Sequence, residues 1–366
     1  METLRLLGFE CKMQVKSMTF IATVLLFTIF AISQLMAVFY LPAMNERDIQ
    51  ALSTMAPDIN QYVYTKNSDD NETKALSITF LQNVLNDNTL EQEVVSELQA
   101  TIELLQNEAY TFDEVITAAS GYEYAPAWLL SCKAQFSQRL VTIEEANQNI
   151  QSILGNTGYS PVLYENYVTY MQAIMSFLIF PLFLLVFIKD YRNGLFEIIY
   201  AQPISSSKYL LCKYLSVFIP LSVYLYLTGI ILNLISASRF MMSGLEYQYT
   251  FFTPYFISYI FPALFFMSAV ITVLMLLVKK AVAVLPIYIL YVLFNVTPRT
   301  FSFGMSNADW IYLINPIIRL DHNIVFDPSV IVINRFIYIC LGIVLMITAC
   351  LLYKKMQRNM RGAITI

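Results

Sequence analysis

The chain has 366 residues, 57% of them hydrophobic, and only 13% carry charge, about half the share usual in a soluble protein of ~25%. With a mean hydropathy of +0.58, this composition excludes an ordinary water-soluble domain. The net charge of −4 gives no footing for nucleic-acid binding. One histidine, and five cysteines without a CxxC or Cys/His spacing, argue against a zinc site and against a disulfide framework.

Residues 2–16 are predicted to form a short interfacial helix, with Leu4, Leu7, Cys11 and Val15 on one face and Arg5, Lys12 and Lys16 on another. A membrane crossing needs roughly 20 apolar residues, and such runs lie at 17–41, 166–188, 209–236, 250–278, 281–297 and 331–353. The first follows three cations, as a signal peptide does. Its core is too long, however, and AVFYLPAM lacks a small-x-small cleavage site, so an uncleaved anchor is expected.

Between the first two runs, residues 42–165 form the one sizeable polar region, with many acids against five bases: Arg47, Lys66, Lys74, Lys133 and Arg139. Its first part, 42–73, reads as loop with short helices and carries the sequon Asn71-Glu-Thr73. Val94, Leu98, Ile102 and Leu105 then recur at helical spacing behind Thr89 and Gln92. Thr111 and Glu114 make a second capping box, closed by Gly121, and a third helix is predicted from Pro126 to Gly155. Such a domain serves either as a structural lid or to receive or gate a substrate. Tyr164, Tyr167 and Tyr170 before the second run, with Tyr247, Tyr249 and Tyr255 beside the fourth, resemble interfacial aromatic belts. Residues 298–330, with Trp310 and Asn315-Pro316, are too apolar for a free loop and too broken for a span. A re-entrant or interfacial hairpin at the outer rim suits them.

The chain therefore reads as an all-α integral membrane protein, with six transmembrane helices and a mostly helical extracellular domain between the first and second. With the amino terminus inside, four short inner segments hold thirteen of the 22 basic residues, and both termini are cytoplasmic. The six runs contain almost no ionisable side chain, Lys213 and Arg335 falling at run ends. That argues against a proton-coupled carrier. No GxxxxGK[ST] phosphate loop, GxSxG elbow or HExxH motif is present, so neither ATP binding of that kind nor catalysis is expected of this chain.

The polar interruption KDYRNGLFEIIYAQPISSSKYLLCK at 189–213 reads as helix end, turn, short amphipathic helix, break and capped restart. Ser205, Ser206 and Ser207 offer the caps. An apolar face with both signs of charge beside it suits burial in a partner's cleft.

These residues resemble the type-2 permeases of ATP-binding-cassette (ABC) transporters. The matching positions are Asp190, Arg192, Gly194, Glu197, Pro203, Ser205 and Lys213; the frequent Gly-Thr pair is missing, and Cys212 stands where glycine is usual. DWIYLINPIIRLDHNI resembles the family's segment before its last span, with Asn315-Pro316 as the recognisable pair. The resemblance implies that the loop 190–208 is a coupling helix, with Asp190, Arg192, Gly194, Phe196, Glu197 and Pro203 engaging an ATPase. It further implies two cytoplasmic ATPase subunits that bind ATP and magnesium, a second copy or related permease as partner, and a multi-pass location in a bacterial plasma membrane. Residues 354–366 would be a basic cytoplasmic tail. The charge-free, Phe-, Tyr- and Met-rich runs favour a hydrophobic or amphipathic cargo such as a peptide, drug or lipid-like molecule. A permease that extrudes sodium or another ion, and a receptor or immunity protein that uses the acidic outer domain without transport, are the alternatives.

Overall fold

The computed structural model describes residues 2–55, 65–86, 91–154, 158–192, 205–278, 281–296, 315–318 and 328–364. The chain divides into two compact units, residues 1–39 with 157–366, and residues 40–156.

Among the described residues, the regular secondary structure of the first unit is helix. Helix α1 (Glu2–Val15) is bent by 63° from α2 (Met18–Gln34). Ser17 makes the break: its hydroxyl donates to Gln14 O and accepts from Phe20 N, capping α2. Leu6, Leu7, Glu10, Cys11 and Gln14 form the more buried side of α1, whereas Leu4 and Val15 of the expected apolar face are exposed.

The remaining helices of this unit lie downstream of the second unit in sequence. In the numbering used here, after the helices of that unit, they are α9 (Tyr159–Arg192), α10 (Ser206–Met242), α11 (Thr253–Val278, with a π turn at Phe256–Ile260), α12 (Ala281–Val296) and α13 (Pro328–Ile364). Among the described residues, four are long and apolar enough to cross a membrane, namely α9, α10, α11 and α13; the bent pair α1 and α2 makes a fifth if it is one span. The first expected run yields only 17 helical residues and the fifth only 16. The helices of the second, third and sixth runs are longer than their apolar cores. Helix α9 continues through Lys189, Asp190 and Arg192, and α13 takes in the basic stretch after residue 353 that was expected as a tail. At 1.5 Å per residue, the 37 residues of α10 exceed a hydrocarbon thickness of about 30 Å, so its ends project beyond it.

Large apolar side chains remain exposed on the outer faces, among them Val223, Leu227 and Ile231 of α10 and Val332, Phe336 and Ile347 of α13. Faces this apolar on helices of this length fit a lipid surroundings. Inside, aromatic residues and two glycines set the packing. Phe252 lies against Gly229 of α10, where a Cβ would come within 2.6 Å of the ring, and Phe265 lies equally close to Gly342 of α13. Tyr164 and Tyr167 are not a belt at an exposed rim. They are fully buried against Phe252, at centroid distances of 4.8 and 5.5 Å, and Tyr167 OH donates to Leu225 O. Of the expected second belt, Tyr249 is exposed. Gly244, with φ of +74°, ends α10 by letting the chain turn back so that Leu245 N reaches Phe240 O.

The second unit contains α3 (Glu46–Met55), β1 (Thr65–Asn67), α4 (Asp70–Leu85), α5 (Gln92–Gln106), α6 (Phe112–Ala118), α7 (Ala125–Phe136), β2 (Gln138–Leu140) and α8 (Ile143–Leu154). Leu98, Ile102 and Leu105 face its core, with Leu81, Phe112, Val115 and Leu129. The Thr111–Glu114 capping box is present in both directions. The expected box at Thr89 is not the start of α5: its N-cap is Glu91, without a side-chain cap bond, and Thr89 lies outside the described residues. The helix predicted from Pro126 to Gly155 is two helices. Gln138–Leu140 leaves the helix to pair antiparallel with Thr65–Asn67, and a capping box between Thr142 and Glu145 restarts it as α8. Asn71 and Thr73 of the sequon lie in the first turn of α4, and Thr73 is buried.

Candidate functional site

Two places in the first unit carry the residues singled out by sequence. One is the end where α9 stops and α10 begins. Asp190 and Arg192 occupy the last turn of α9, while Gly194, Phe196, Glu197 and Pro203 lie outside the described residues. Ser205 takes the N-cap position of α10 in extended conformation, but its side chain makes no cap bond. Around that start, other chain segments converge. Lys213 pairs with Glu10 of α1 at 3.4 Å and lies over the Tyr209 ring. Cys212 Sγ points to Thr3 O at 3.8 Å. Tyr209 stacks on Tyr353 of α13, and the Ser206 hydroxyl donates to Gln357 Oε1. Helix α1, the start of α10 and the far part of α13 thus meet at one end of the unit, and that end carries Arg5, Lys12, Lys208, Lys213, Lys354, Lys355 and Arg358.

The other place is Asn315-Pro316. Trp310 lies outside the described residues, but Asn315–Ile318 is held by polar side chains from two helices and a backbone carbonyl of a third. Asn315 Oδ1 accepts from Ile317 N, making an Asx turn, and its Nδ2 donates to Asn295 O at the end of α12 (2.9 Å). From α13, Asn334 Nδ2 donates to Asn315 O and Arg335 Nη1 to Pro316 O, both at 2.9 Å. From α9, Gln172 Nε2 donates to Ile318 O (3.0 Å), while Gln172 Oε1 accepts from Ile318 N (3.3 Å) and from Arg335 Nη2 (3.1 Å). Tyr259 of α11 places its ring 5.6 Å from the guanidinium.

Arg335 is therefore not a peripheral charge at a run end. It lies about 10 Å along α13 from Pro328 and is only 5% exposed. The reason is visible in the bonds: a non-helical backbone at membrane depth needs partners for its own N–H and C=O groups, and Gln172, Asn334 and Arg335 supply them. Sequence reading found the Asn-Pro pair and missed this clamp. The available signal was a glutamine inside an otherwise apolar run and an Asn-Arg pair two turns into the last one.

These polar contacts hold the backbone of Asn315–Ile318. Among the described residues no group of three or more His, Cys, Asp or Glu could hold a metal ion. Comparison of the chain with protein-family models, with curated proteins and with solved structures finds no match.

Proposed function

We propose that this chain is the permease subunit of an ATP-driven exporter that moves a hydrophobic or amphipathic cargo outward. It would work with a second copy or a related permease and with two cytoplasmic ABC ATPase subunits that bind ATP and magnesium. The observation that carries the reading is the convergence of α1, the start of α10 and the far part of α13 at one strongly basic end, the end to which the polar loop 190–208 connects. Under the positive-inside rule that end is cytoplasmic. A force delivered at the loop would reach α9 and α10 directly, and α1 and α13 through Lys213–Glu10 and Tyr209–Tyr353.

The reading takes α2 and α12, of 17 and 16 residues, as crossings beside the four longer apolar helices. The described interior is mostly aromatic and aliphatic side chains, with neutral hydroxyls and amides and one buried cation, Arg335, which suits an amphipathic cargo better than a metal ion. Glu197→Ala or Phe196→Asp is expected to leave the protein inserted and ATP hydrolysis running, while transport falls by about tenfold, an ordinary coupling free energy. Parallel assays of ATP hydrolysis and of cargo uptake into inside-out vesicles check this. Unchanged transport in both variants would make the loop a connector.

A further inference from the structure

Among the described residues, Arg335 is a buried cation held by neutral groups alone. Its acceptors are the Pro316 carbonyl and the Gln172 amide oxygen, its face meets Tyr259, and its Nε has no hydrogen-bond partner. Among the described residues no carboxylate pairs with it. A guanidinium in an apolar bundle without an anion keeps its charge uncompensated, which is costly and characteristic of residues that meet a charged ligand. The side of the guanidinium formed by Nε and Nη2 matches the two oxygens of a carboxylate or phosphate. Such a charge-assisted fork is about twice as strong as bonds to neutral oxygens.

We propose that Arg335 binds the carboxylate or phosphate of an anionic amphiphile, and that this anion competes for the guanidinium with Gln172, the residue that holds Ile318 of the Asn315–Ile318 segment. An anion on Nε and Nη2 displaces Gln172 Oε1. Gln172 is also the residue that pairs with both backbone groups of Ile318, so its displacement loosens that end of the segment from α9. The other end stays attached to α12 and α13, because Asn315 is bonded to Asn295 and Asn334 independently of the guanidinium. The segment then swings about Asn315 rather than detaching. The identification of the amphiphile with cargo rests on the exporter reading; the binding itself needs no ATPase.

The test uses the full chain in nanodiscs of phosphatidylcholine alone. The chain has two tryptophans, Trp128 and Trp310, so Trp128→Phe leaves Trp310, close to Asn315 in sequence, as the sole reporter. Dodecanoate and dodecyl phosphate are expected to change its emission saturably, and dodecyltrimethylammonium is not. A second set of discs contains phosphatidylglycerol. If the emission there is already shifted and dodecanoate adds nothing, the anion is a lipid headgroup; if dodecanoate still acts, it is the added amphiphile.

Arg335→Lys, which keeps the charge and loses the fork, should weaken the response by about tenfold. Gln172→Glu puts a carboxylate beside the guanidinium and should abolish the response while raising the unfolding temperature, so a failure to fold cannot be mistaken for success. The absence of a saturable response to any anion in the parent protein, or an equal response in Gln172→Glu, overturns the proposal. A negative result with ATP coupling intact removes the anion site and leaves the exporter; an anion response without any ATPase does the reverse.

Discussion

At the scale of single residues, the polar side chains of this protein act by satisfying backbone that the fold leaves open. Gln172 makes four hydrogen bonds with its one amide group, two of them to Ile318. Gln172→Leu strands the N–H and C=O of Ile318 and one Arg335 nitrogen in an apolar interior. Each orphaned group costs about 1–3 kcal/mol, so a lower unfolding temperature in detergent is expected, whereas a truly exposed glutamine would show none. Glu97 plays the same part in the second unit, accepting from the backbone N–H of Glu123, Tyr124 and Ala125. Burial acts to raise its carboxyl, but the three backbone donors outweigh it and hold it below the ordinary range. A carboxylate with a lowered folded pKa adds stability above its unfolded pKa and loses it as pH falls through the folded value. Stability of the second unit should therefore decline on acidification below about pH 4.3. Glu97→Gln should flatten that decline in a pH series of thermal melts. None of these pairings was legible in the sequence, although Asn315-Pro316 was. The bonds that tie that pair and its clamp together across helices join residues 19 to 163 apart along the chain, and local patterns do not encode contacts at such separations.

At the scale of elements, the apolar runs were legible as helices, because length and hydropathy alone select them. Their ends were not, since polar residues continue a helix wherever backbone bonding and neighbours permit; α9 therefore runs on through Lys189 to Arg192. The predicted helix at 126–155 failed for a related reason. Its break at Gln138–Leu140 is imposed by pairing with Thr65–Asn67, far away in sequence. The tyrosines near the second run show the opposite error, in that the belt composition is there but the rings are buried in the bundle. What allows that burial is Gly229, which no periodicity marks. Gly229→Ala would place a methyl 2.6 Å from the Phe252 ring and should destabilise the bundle by about 1–3 kcal/mol, the usual cost of overpacking. Adding Phe252→Leu should recover part of that loss, because the two sites are in contact and not additive. Thermal unfolding of the single and double variants decides it; simple additivity would mean that the two residues do not meet.

At the scale of the whole molecule, the chain is a multi-helix protein with an acidic insert between its first and second apolar helices, and its basic residues gather where helix ends converge. Charge and hydropathy made that arrangement readable in advance. The cargo was not readable, because apolar side chains that face lipid, one another or a ligand look alike in sequence. The central claim is that force comes from a separate ATPase engaging the loop between α9 and α10. The most direct measurement purifies the tagged full chain from its native membranes in mild detergent, identifies what accompanies it in stoichiometric amount, and assays ATP hydrolysis. The account predicts an ABC ATPase at one subunit per permease chain, with hydrolysis that persists in Glu197→Ala while transport falls by about tenfold. A preparation with no ATPase and no hydrolysis would contradict it.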